Sequence, residues 1–202
     1  SARSLLGILD EVLDWSKMEA GRMELESYGF DLPGVFEDTA DLFSGTARTK
    51  GVELVLDMDP ALPCRAIGDG GRLRQVLSNL LGNAVKFTDQ GEVTIAVTTS
   101  GDEQELLICK VSDTGVGMSK ADMSSLFRAF SQAKGNHTRS LGGTGLGLAI
   151  AQNLVRMMGG EIQVESQAGK GSQFRFCIPL QMENAPEPSP IHPFLGKRAL
   201  IL

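Results

Sequence analysis

Two asparagines and a lysine lie at helical spacing within GGRLRQVLSNLLGNAVKFT, residues 70–88. Asn79 and Asn83 are four residues apart and Lys86 follows three residues later, so a helix would place all three on the face opposite its leucines. Amide oxygens suit a hard divalent cation such as Mg²⁺, and a lysine beside them suits a phosphate. A solvated helix face would carry the same residue types, so these three residues alone leave both interpretations open.

An aspartate and two glycines follow a strand pattern at DTGVG, residues 113–117. The Asp113 carboxylate could accept a hydrogen bond from the amino group of a flat ligand, while Gly115 and Gly117 would let the backbone come close to it. The alternative is a turn in which Asp113 acts as a cap, and the pattern alone favours this alternative.

A third segment, GGTGLGL at residues 142–148, has four glycines in seven positions. It fits neither the phosphate loop that ends in GK[ST] nor the G-x-G-x-x-G dinucleotide fingerprint. The polar stretch AKGNHTRS, residues 133–140, leads into it. A loop joined to a glycine-rich helix start is well suited to close over phosphates. Just before that loop, Phe127 and Phe130 have the spacing of core residues.

The elements that would position these groups follow from periodicity and from glycine and proline breaks. They predict helices over residues 2–26, 33–50, 70–88 and 146–158, and strands over 52–59, 92–100, 105–113, 160–167 and 172–180. Strands gathered together, with helices on one face, predict an α+β fold of the two-layer α/β sandwich type, preceded by one long helix.

The N-terminal helix carries an apolar stripe through Ala2, Leu5, Leu9 and Val12. One amphipathic helix cannot bury such a stripe alone. The stripe therefore predicts a partner, either an upstream segment or a second copy, with packing on the chain's own domain as the alternative.

Composition limits the function classes. The chain has 202 residues, 42% hydrophobic residues and a formal charge of −6, which argues against a nucleic-acid surface. It contains no apolar run long enough to span a membrane. The cysteines, Cys64, Cys109 and Cys177, are odd in number and widely spread, which predicts reduced thiols that serve as small core residues.

Five motifs, in order, resemble the catalytic ATP-binding domain of sensor histidine kinases, in the gyrase, Hsp90, histidine kinase and MutL superfamily. They are NLLGNAVKFT, DTGVGM, LFRAF, GGTGLGLAI and GKGSQFRFCIPL, and they span about residues 31–180. The family's fold is the Bergerat ATP-binding fold. The N-terminal segment LLGILDEVLDWSKMEAGRMELE is similar to the second helix of the family's dimerisation and phosphotransfer domain. The final RALIL is similar to the first strand of a receiver domain, as in a hybrid kinase.

The resemblance implies a domain organisation for a chain that we expect to be part of a longer protein. Residues 1–28 would be the partial dimerisation and phosphotransfer helix and 29–182 the catalytic ATP-binding domain. A proline-rich linker, 183–196, would lead to the start of a truncated receiver domain at 197–202.

It also implies roles for individual residues. Asp113 would hold the adenine amino group, Asn83 would bind Mg²⁺, and Asn79 and Lys86 would be catalytic. Gly143, Gly145 and Gly147 of GGTGLGLAI, the family's second glycine box, would bring backbone N–H groups to the phosphates. The full implied ATP site is Asn79, Asn83, Lys86, Asp113, Gly115, Gly117, Met118, Phe130, Arg139, Gly143, Thr144, Gly145, Leu146, Gly147 and Ser172.

The implied activity is transfer of the γ-phosphate of Mg·ATP to a histidine outside this sequence. His137 and His192 lack the expected acceptor context. The implied partners are a second copy through the N-terminal helix, the phosphotransfer helix that carries the acceptor histidine, and a receiver domain or response regulator. We expect no nucleic-acid or membrane contact by this segment, and a cytoplasmic location as the cytosolic part of a membrane-bound sensor.

Two alternatives stay open. One is an ATPase of the gyrase or Hsp90 type, but those proteins carry a glutamate where Asn79 stands, and an amide cannot take a proton from water. The other is a degenerate nucleotide-binding module that regulates a partner kinase. Such a module would have lost Asn83, Asp113 or the glycine box, and all three are present.

Overall fold

The computed structural model describes residues 2–100, 106–131 and 144–182. In chain order the elements are α1 (Ala2–Glu19), β1 (Tyr28–Asp31), α2 (Leu32–Lys50), β2 (Val52–Met58), β3 (Arg65–Gly68), α3 (Gly70–Phe87), β4 (Gly91–Ser100), β5 (Leu106–Asp113), α4 (Lys120–Met123), α5 (Gly147–Met157), β6 (Glu161–Gln167), β7 (Gly171–Pro179) and β8 (Gln181–Met182).

The larger sheet has five strands in the order β2-β4-β5-β7-β6. Its first pair, β2 and β4, is parallel, and the other pairs are antiparallel. Along β4, Val93, Ile95 and Val97 are buried while the residues between them are partly exposed, as expected for a sheet covered on one face. Helices α2, α3 and α5 pack together and supply much of the core through Phe36, Leu73, Leu77, Leu80, Leu81, Ile150 and Leu154. The predicted two-layer α+β architecture is therefore confirmed.

A second sheet of three strands, in the order β1-β3-β8, was not predicted. Each of its strands has four residues or fewer, which is too short for an alternating pattern to show. The sheet joins the segment before α2 to the segment after β7, because β3 pairs with both β1 and β8.

Helix α1 ends at Glu19, so the prediction that it continues to residue 26 was wrong. Gly21 has a φ of 62°, and its N–H bonds back to the carbonyl of Met18 at 3.0 Å, a left-handed ending that glycine makes at little cost. The ends of α2, α3 and α5 agree with prediction to within one residue, and the short helix α4 was not predicted. The Asp69 carboxylate caps α3 by accepting from the N–H of Arg72 at 2.9 Å.

The apolar residues of α1 divide between two environments. Trp15 and Met18 pack against the hydrophobic core, whereas Leu9, Val12 and Leu13 are 49%, 43% and 56% exposed. One end of α1 therefore packs on the chain's own domain, and the expectation that a partner covers Leu9, Val12 and Leu13 stays a prediction.

A polar contact holds α1 against the first turns of α3. Asp14 accepts hydrogen bonds from Arg72 Nη1 at 2.9 Å and from Gln75 Nε2 at 2.7 Å. Arg72 Nη1 also donates to Gln75 Oε1 at 2.7 Å, so the three side chains form one network.

The cysteine prediction was only partly correct. Cys109 is buried in the core and burial raises the pKa of its thiol, but Cys64 is exposed and Cys177 is half-buried. Among the helices that the structure describes, none combines the length and apolar character needed to cross a bilayer.

Candidate functional site

The two asparagines of α3 interact with each other, as their spacing predicts. Asn83 Nδ2 donates to the backbone carbonyl of Asn79 at 2.8 Å, which leaves Oδ1 of Asn83 as the amide atom suited to a cation. Asn79 Nδ2 is buried and has no hydrogen-bond partner among the described residues. A buried amide donor without a partner is costly, so this atom marks a place where a ligand would supply an acceptor.

Lys86 continues the same face of α3. Burial lowers the pKa of its ammonium group, and its Nζ lies 5.0 Å from the centroid of the neighbouring Phe87 ring. The trio is therefore half-buried, and the alternative of a fully solvated helix face does not describe it.

Lys50, at the end of α2, holds the end of α3 in place. Its Nζ donates to the carbonyls of Val85 and Lys86 at 2.8 and 2.9 Å and lies 3.5 Å from the Asp89 carboxylate. The sequence analysis did not identify this residue. The sequence shows a lysine in the last turn of a predicted helix, but it does not show that this lysine donates to carbonyls of another helix.

Asp113 lies at the end of β5 with one carboxylate oxygen already engaged. Oδ1 accepts from the N–H of Gly115 at 2.9 Å and from the N–H of Ser172 at 3.2 Å. Burial raises the pKa of this carboxyl, and the hydrogen bonds from Gly115 and Ser172 offset part of that rise. Asp113 and Ser172, which were each predicted as ATP-site residues, are therefore in contact with each other.

The glycines around Asp113 allow backbone segments to touch. A Cβ at Gly117 would lie 2.0 Å from the carbonyl oxygen of Gln167, and one at Gly171 would lie 1.8 Å from that of Asp113. A Cβ at Gly115 would likewise lie 2.3 Å from the carbonyl oxygen of Phe87. Gly115 and Gly117 were predicted to admit a base; the close backbone contacts are a separate and sufficient reason for all three glycines.

Met118 and Ser172 are joined through a residue that was not predicted, Ser166 on β6. Ser166 Oγ accepts from the N–H of Met118 at 2.8 Å and lies 3.0 Å from Ser172 Oγ. Met118 itself packs against the core from a half-buried position.

The described part of the second glycine box lies against α3. A Cβ at Gly147, the first residue of α5, would be 3.2 Å from Asn79 Oδ1. Leu146 is fully buried, and its carbonyl accepts from the N–H of Ile150 at 2.8 Å. Gly145 has a φ of 72°, and its carbonyl accepts from the N–H of Phe130 at 3.1 Å. Phe130 is 66% exposed, so the prediction that it packs in the core was wrong, whereas Phe127 packs against the core from a half-buried position.

Thr144 contacts α1, which the sequence did not predict. Its hydroxyl donates to the Glu11 carboxylate and accepts from the N–H of Leu146 at 3.1 Å. The two residues are 133 positions apart in the sequence, and a local sequence pattern cannot predict a contact at that separation. Of the other predicted residues, Arg139 and Gly143 lie outside the described residues, as do His137, His192 and the linker.

Comparisons with known proteins show which family the chain belongs to. Residues 68–182 match the family model described as "Histidine kinase-, DNA gyrase B-, and HSP90-like ATPase". The chain is 41% identical over 205 residues to sensor histidine kinase GacS of Pseudomonas protegens, which covers 100% of this chain and 22% of that protein. It is 43% identical over 185 residues to signal transduction histidine-protein kinase BarA of Escherichia coli, and the match covers 90% of this chain and 20% of that protein. The crystal structure of full-length ShkA in complex with AMPPNP matches with a TM-score of 0.78 and 35% identity, over 90% of this chain and 37% of that one.

The chain spans about a fifth of the length of these two curated relatives. The family model covers more than half of the chain, and the motif order, the fold and the relatives agree with it. The chain therefore belongs to the histidine kinase-, DNA gyrase B- and HSP90-like ATPase family, and within it corresponds to the ATP-binding part of sensor histidine kinases.

Proposed function

We propose that this chain binds Mg·ATP between α3, the Asp113 turn and the start of α5, and that it positions the γ-phosphate for transfer to a histidine outside this sequence. The observation that carries the proposal is the buried, unpartnered Nδ2 of Asn79 beside the glycine-rich start of α5. A phosphate oxygen would supply the acceptor that this amide lacks, and the N-terminus of a helix favours negative charge.

In the proposed arrangement each described residue has one task. Asp113 Oδ2 accepts from the adenine amino group. Asn83 Oδ1 holds Mg²⁺, whose charge would offset that of the phosphates. Lys86 stabilises a phosphate, and Asn79 donates to another. Arg139 and Gly143 complete the proposed phosphate contacts.

Asn79 also favours phosphoryl transfer over hydrolysis. An amide cannot accept a proton from an attacking water, so the site lacks the base that a glutamate would provide there. Positioning and electrostatics would then supply most of the catalysis. The competing ATPase function would need another base near Asn79.

The partners are proposals of the same kind. The uncovered residues Leu9, Val12 and Leu13 support association of α1 with a second copy and with the helix that carries the acceptor histidine. Because GacS and BarA are several times longer than this chain, we propose that it is the cytosolic part of a membrane-bound sensor with a receiver domain beyond residue 196.

A calorimetric titration with Mg·ADP and Mg·GDP tests the proposal, with Asn83→Ala as the variant. We expect ADP to bind at least about tenfold more tightly than GDP, because Asp113 accepts from an amino group and not from a carbonyl. Asn83→Ala should remove the Mg²⁺ dependence, so that its ADP affinity equals that of the wild type in EDTA.

The matched control is Asn153→Ala, which removes a half-buried amide further along α5. It should leave both affinities unchanged. If the wild type bound neither nucleotide, or if Asn83→Ala kept the full Mg²⁺ dependence, the proposed site would be wrong.

The Glu11 contact leads to a second expectation. Its carboxylate places a negative charge at Thr144, beside the proposed phosphate site. Glu11→Gln keeps an acceptor for Thr144 but removes the charge, so we expect ADP affinity to rise about threefold at low salt and by less at high salt. Asp10→Asn, an exposed carboxylate on the same helix, should have a smaller effect. Equal effects of the two variants in a titration at two salt concentrations would contradict a local role for Glu11.

A further inference from the structure

A partly open pocket with a volume of about 240 Å³ lies outside the proposed nucleotide site. Its apolar walls include Leu25, Phe30, Ile67, Leu73, Met158 and Leu180. These residues come from the segment between α1 and β1, the three-stranded sheet, the first turn of α3 and the end of α5. The proposed nucleotide site uses the start of α5, and Gly147 and Met157 at the two ends of that helix are about 15 Å apart at 1.5 Å per residue. The pocket is therefore separate from that site.

The rim of this pocket carries negative charge. Glu26 and Asp69 line it, and none of the described residues that line it is a lysine, an arginine or a histidine. The Asp69 carboxylate accepts from the N–H groups of Glu26 at 3.0 Å and of Arg72 at 2.9 Å. These bonds hold the segment between α1 and β1 against the start of α3. An apolar group followed by basic residues would match both the walls and the rim.

The described part of the chain ends beside this pocket. Leu180 lines the pocket, and β8 ends at Met182, two residues later. The next eight residues, ENAPEPSP at 183–190, contain three prolines, two glutamates and no large apolar side chain. They are followed by IHPFLGKR at 191–198, which combines apolar and basic residues. An extended chain spans about 3.3 Å per residue, so the stretch from Met182 to Phe194 reaches roughly 40 Å, more than enough to return to Leu180.

The size of the pocket suits one aromatic side chain. A cavity of roughly 150 Å³ lined by leucine, isoleucine and phenylalanine binds benzene, and a phenylalanine side chain is a benzene ring on one methylene. A pocket of about 240 Å³ has room for the Phe194 ring, with space at its mouth for Leu195. Met157 also lines the pocket and is 37% exposed. A flexible methionine side chain can adapt to a ring, and covering it would remove apolar surface from water.

We propose that this pocket is the docking site of residues 191–195 of the same chain, with the Phe194 ring inside and Lys197 and Arg198 beside the acidic rim. The docked residues would contact the segment between α1 and β1, which Asp69 holds against α3. A displacement of α1 would thereby reach the segment after residue 196 without passing through the nucleotide site. The proposal concerns a surface outside that site and does not depend on the proposed function.

The test places a photoreactive group next to Phe194. In the 202-residue chain, Leu195 is replaced by p-benzoylphenylalanine, which forms a bond to a nearby C–H group on illumination, and the cross-linked peptides are identified by mass spectrometry. We expect an intramolecular cross-link to the pocket, mainly at Met157 or Met158. Phe194→Ala should lower its yield at least about fivefold, because the ring that anchors the segment is lost. Leu200→Ala, outside the segment, is the matched control and should leave the yield unchanged.

A second pair of variants tests the pocket itself. Met157→Glu places a charge in the pocket and should lower the same yield about fivefold, because a buried charge without a partner is costly. Leu42→Glu changes an exposed leucine on α2 and should have no effect. Both side chains are exposed in the structure, and circular dichroism checks that each variant is folded before illumination.

Backbone hydrogen exchange gives a readout without the photoreactive group. In Phe194→Ala the amides of residues 25–30 and 178–182 should exchange about threefold faster than in the wild type, because the uncovered pocket opens more often. Equal exchange rates in the two proteins would overturn the inference. Cross-links that form between two chains or outside the pocket, or yields that do not respond to Met157→Glu, would do the same. The proposed nucleotide site would stand in each of these cases, because its test is ADP binding.

Discussion

Asp113→Asn should lower the affinity for ADP by about 100-fold and leave that for GDP within about threefold of wild type, which corresponds to roughly 2–3 kcal/mol of lost adenine recognition. The asparagine Oδ1 can still accept from the backbone N–H groups of Gly115 and Ser172. Its Nδ2, however, would face the adenine amino group with another donor. The measurement is a pair of calorimetric titrations with Mg·ADP and Mg·GDP.

The same variant should be at least as stable as the wild type at neutral pH. Burial raises the pKa of Asp113 in the folded state, so the ionised carboxylate opposes folding, and its contribution to stability becomes less favourable as the pH rises through that pKa. The advantage of Asp113→Asn in urea unfolding should therefore shrink as the pH is lowered. The ADP affinity of the wild type should also fall as the pH is lowered, because the Asp113 carboxylate becomes protonated. This fall should begin at a higher pH than it would for an ordinary aspartate.

Asp57→Asn is the control, since Asp57 is exposed on β2. It should change neither affinity nor stability appreciably. A comparable loss of ADP and GDP in Asp113→Asn would show that Asp113 supports the fold of the site and does not recognise the base.

Gly171→Ala should be among the most destabilising single changes in the domain. The new Cβ would lie 1.8 Å from the carbonyl oxygen of Asp113 and 2.9 Å from Cα of Thr114, at a φ of 96°. Both neighbours are backbone, so β5 and β7 would have to separate where Asp113 pairs with Ser172. We expect a loss of about 4 kcal/mol or more from the strained φ and the overlap together, measured by urea unfolding, with loss of ADP binding.

Gly169→Ala isolates the backbone contribution two residues earlier. Gly169 also has a positive φ, 77°, but a Cβ there meets nothing within 4 Å. It should cost only about 1–2 kcal/mol. Similar losses for the two variants would mean that the close approach of Gly171 to Asp113 adds nothing to the requirement for glycine.

How far the sequence could predict this site depended on whether the interacting residues lie in one element. Asn79, Asn83 and Lys86 share a helix, so the helical period alone placed them on one face. The sandwich followed in the same way from the long periodic segments. The three-stranded sheet could not be predicted, because its strands are too short to show a period.

Contacts between distant elements were equally hidden. Glu11 and Ser166 are ordinary residues in their local sequence, and their roles come from Thr144 and Met118, which the fold brings to them. Asn79 is a further example. The sequence predicted which face of the helix it lies on, but only the packing of α5 against α3 shows that its Nδ2 is buried without a hydrogen-bond partner among the described residues.

Both ends of α3 are fastened to other helices, the first turns through Asp14 of α1 and the last turn through Lys50 of α2. An α-helix resists bending, so a displacement of the Arg72 end would tilt α3 about the end that Lys50 holds, and Asn79 lies about 9 Å along the helix from Val85 at 1.5 Å per residue. A tilt of roughly 6° about the Val85 end would displace Asn79 by about 1 Å, a distance large enough to disrupt a catalytic alignment. We therefore expect a movement of α1 that keeps its contacts with Arg72 and Gln75 to change the positions of the Asn79 and Asn83 amides.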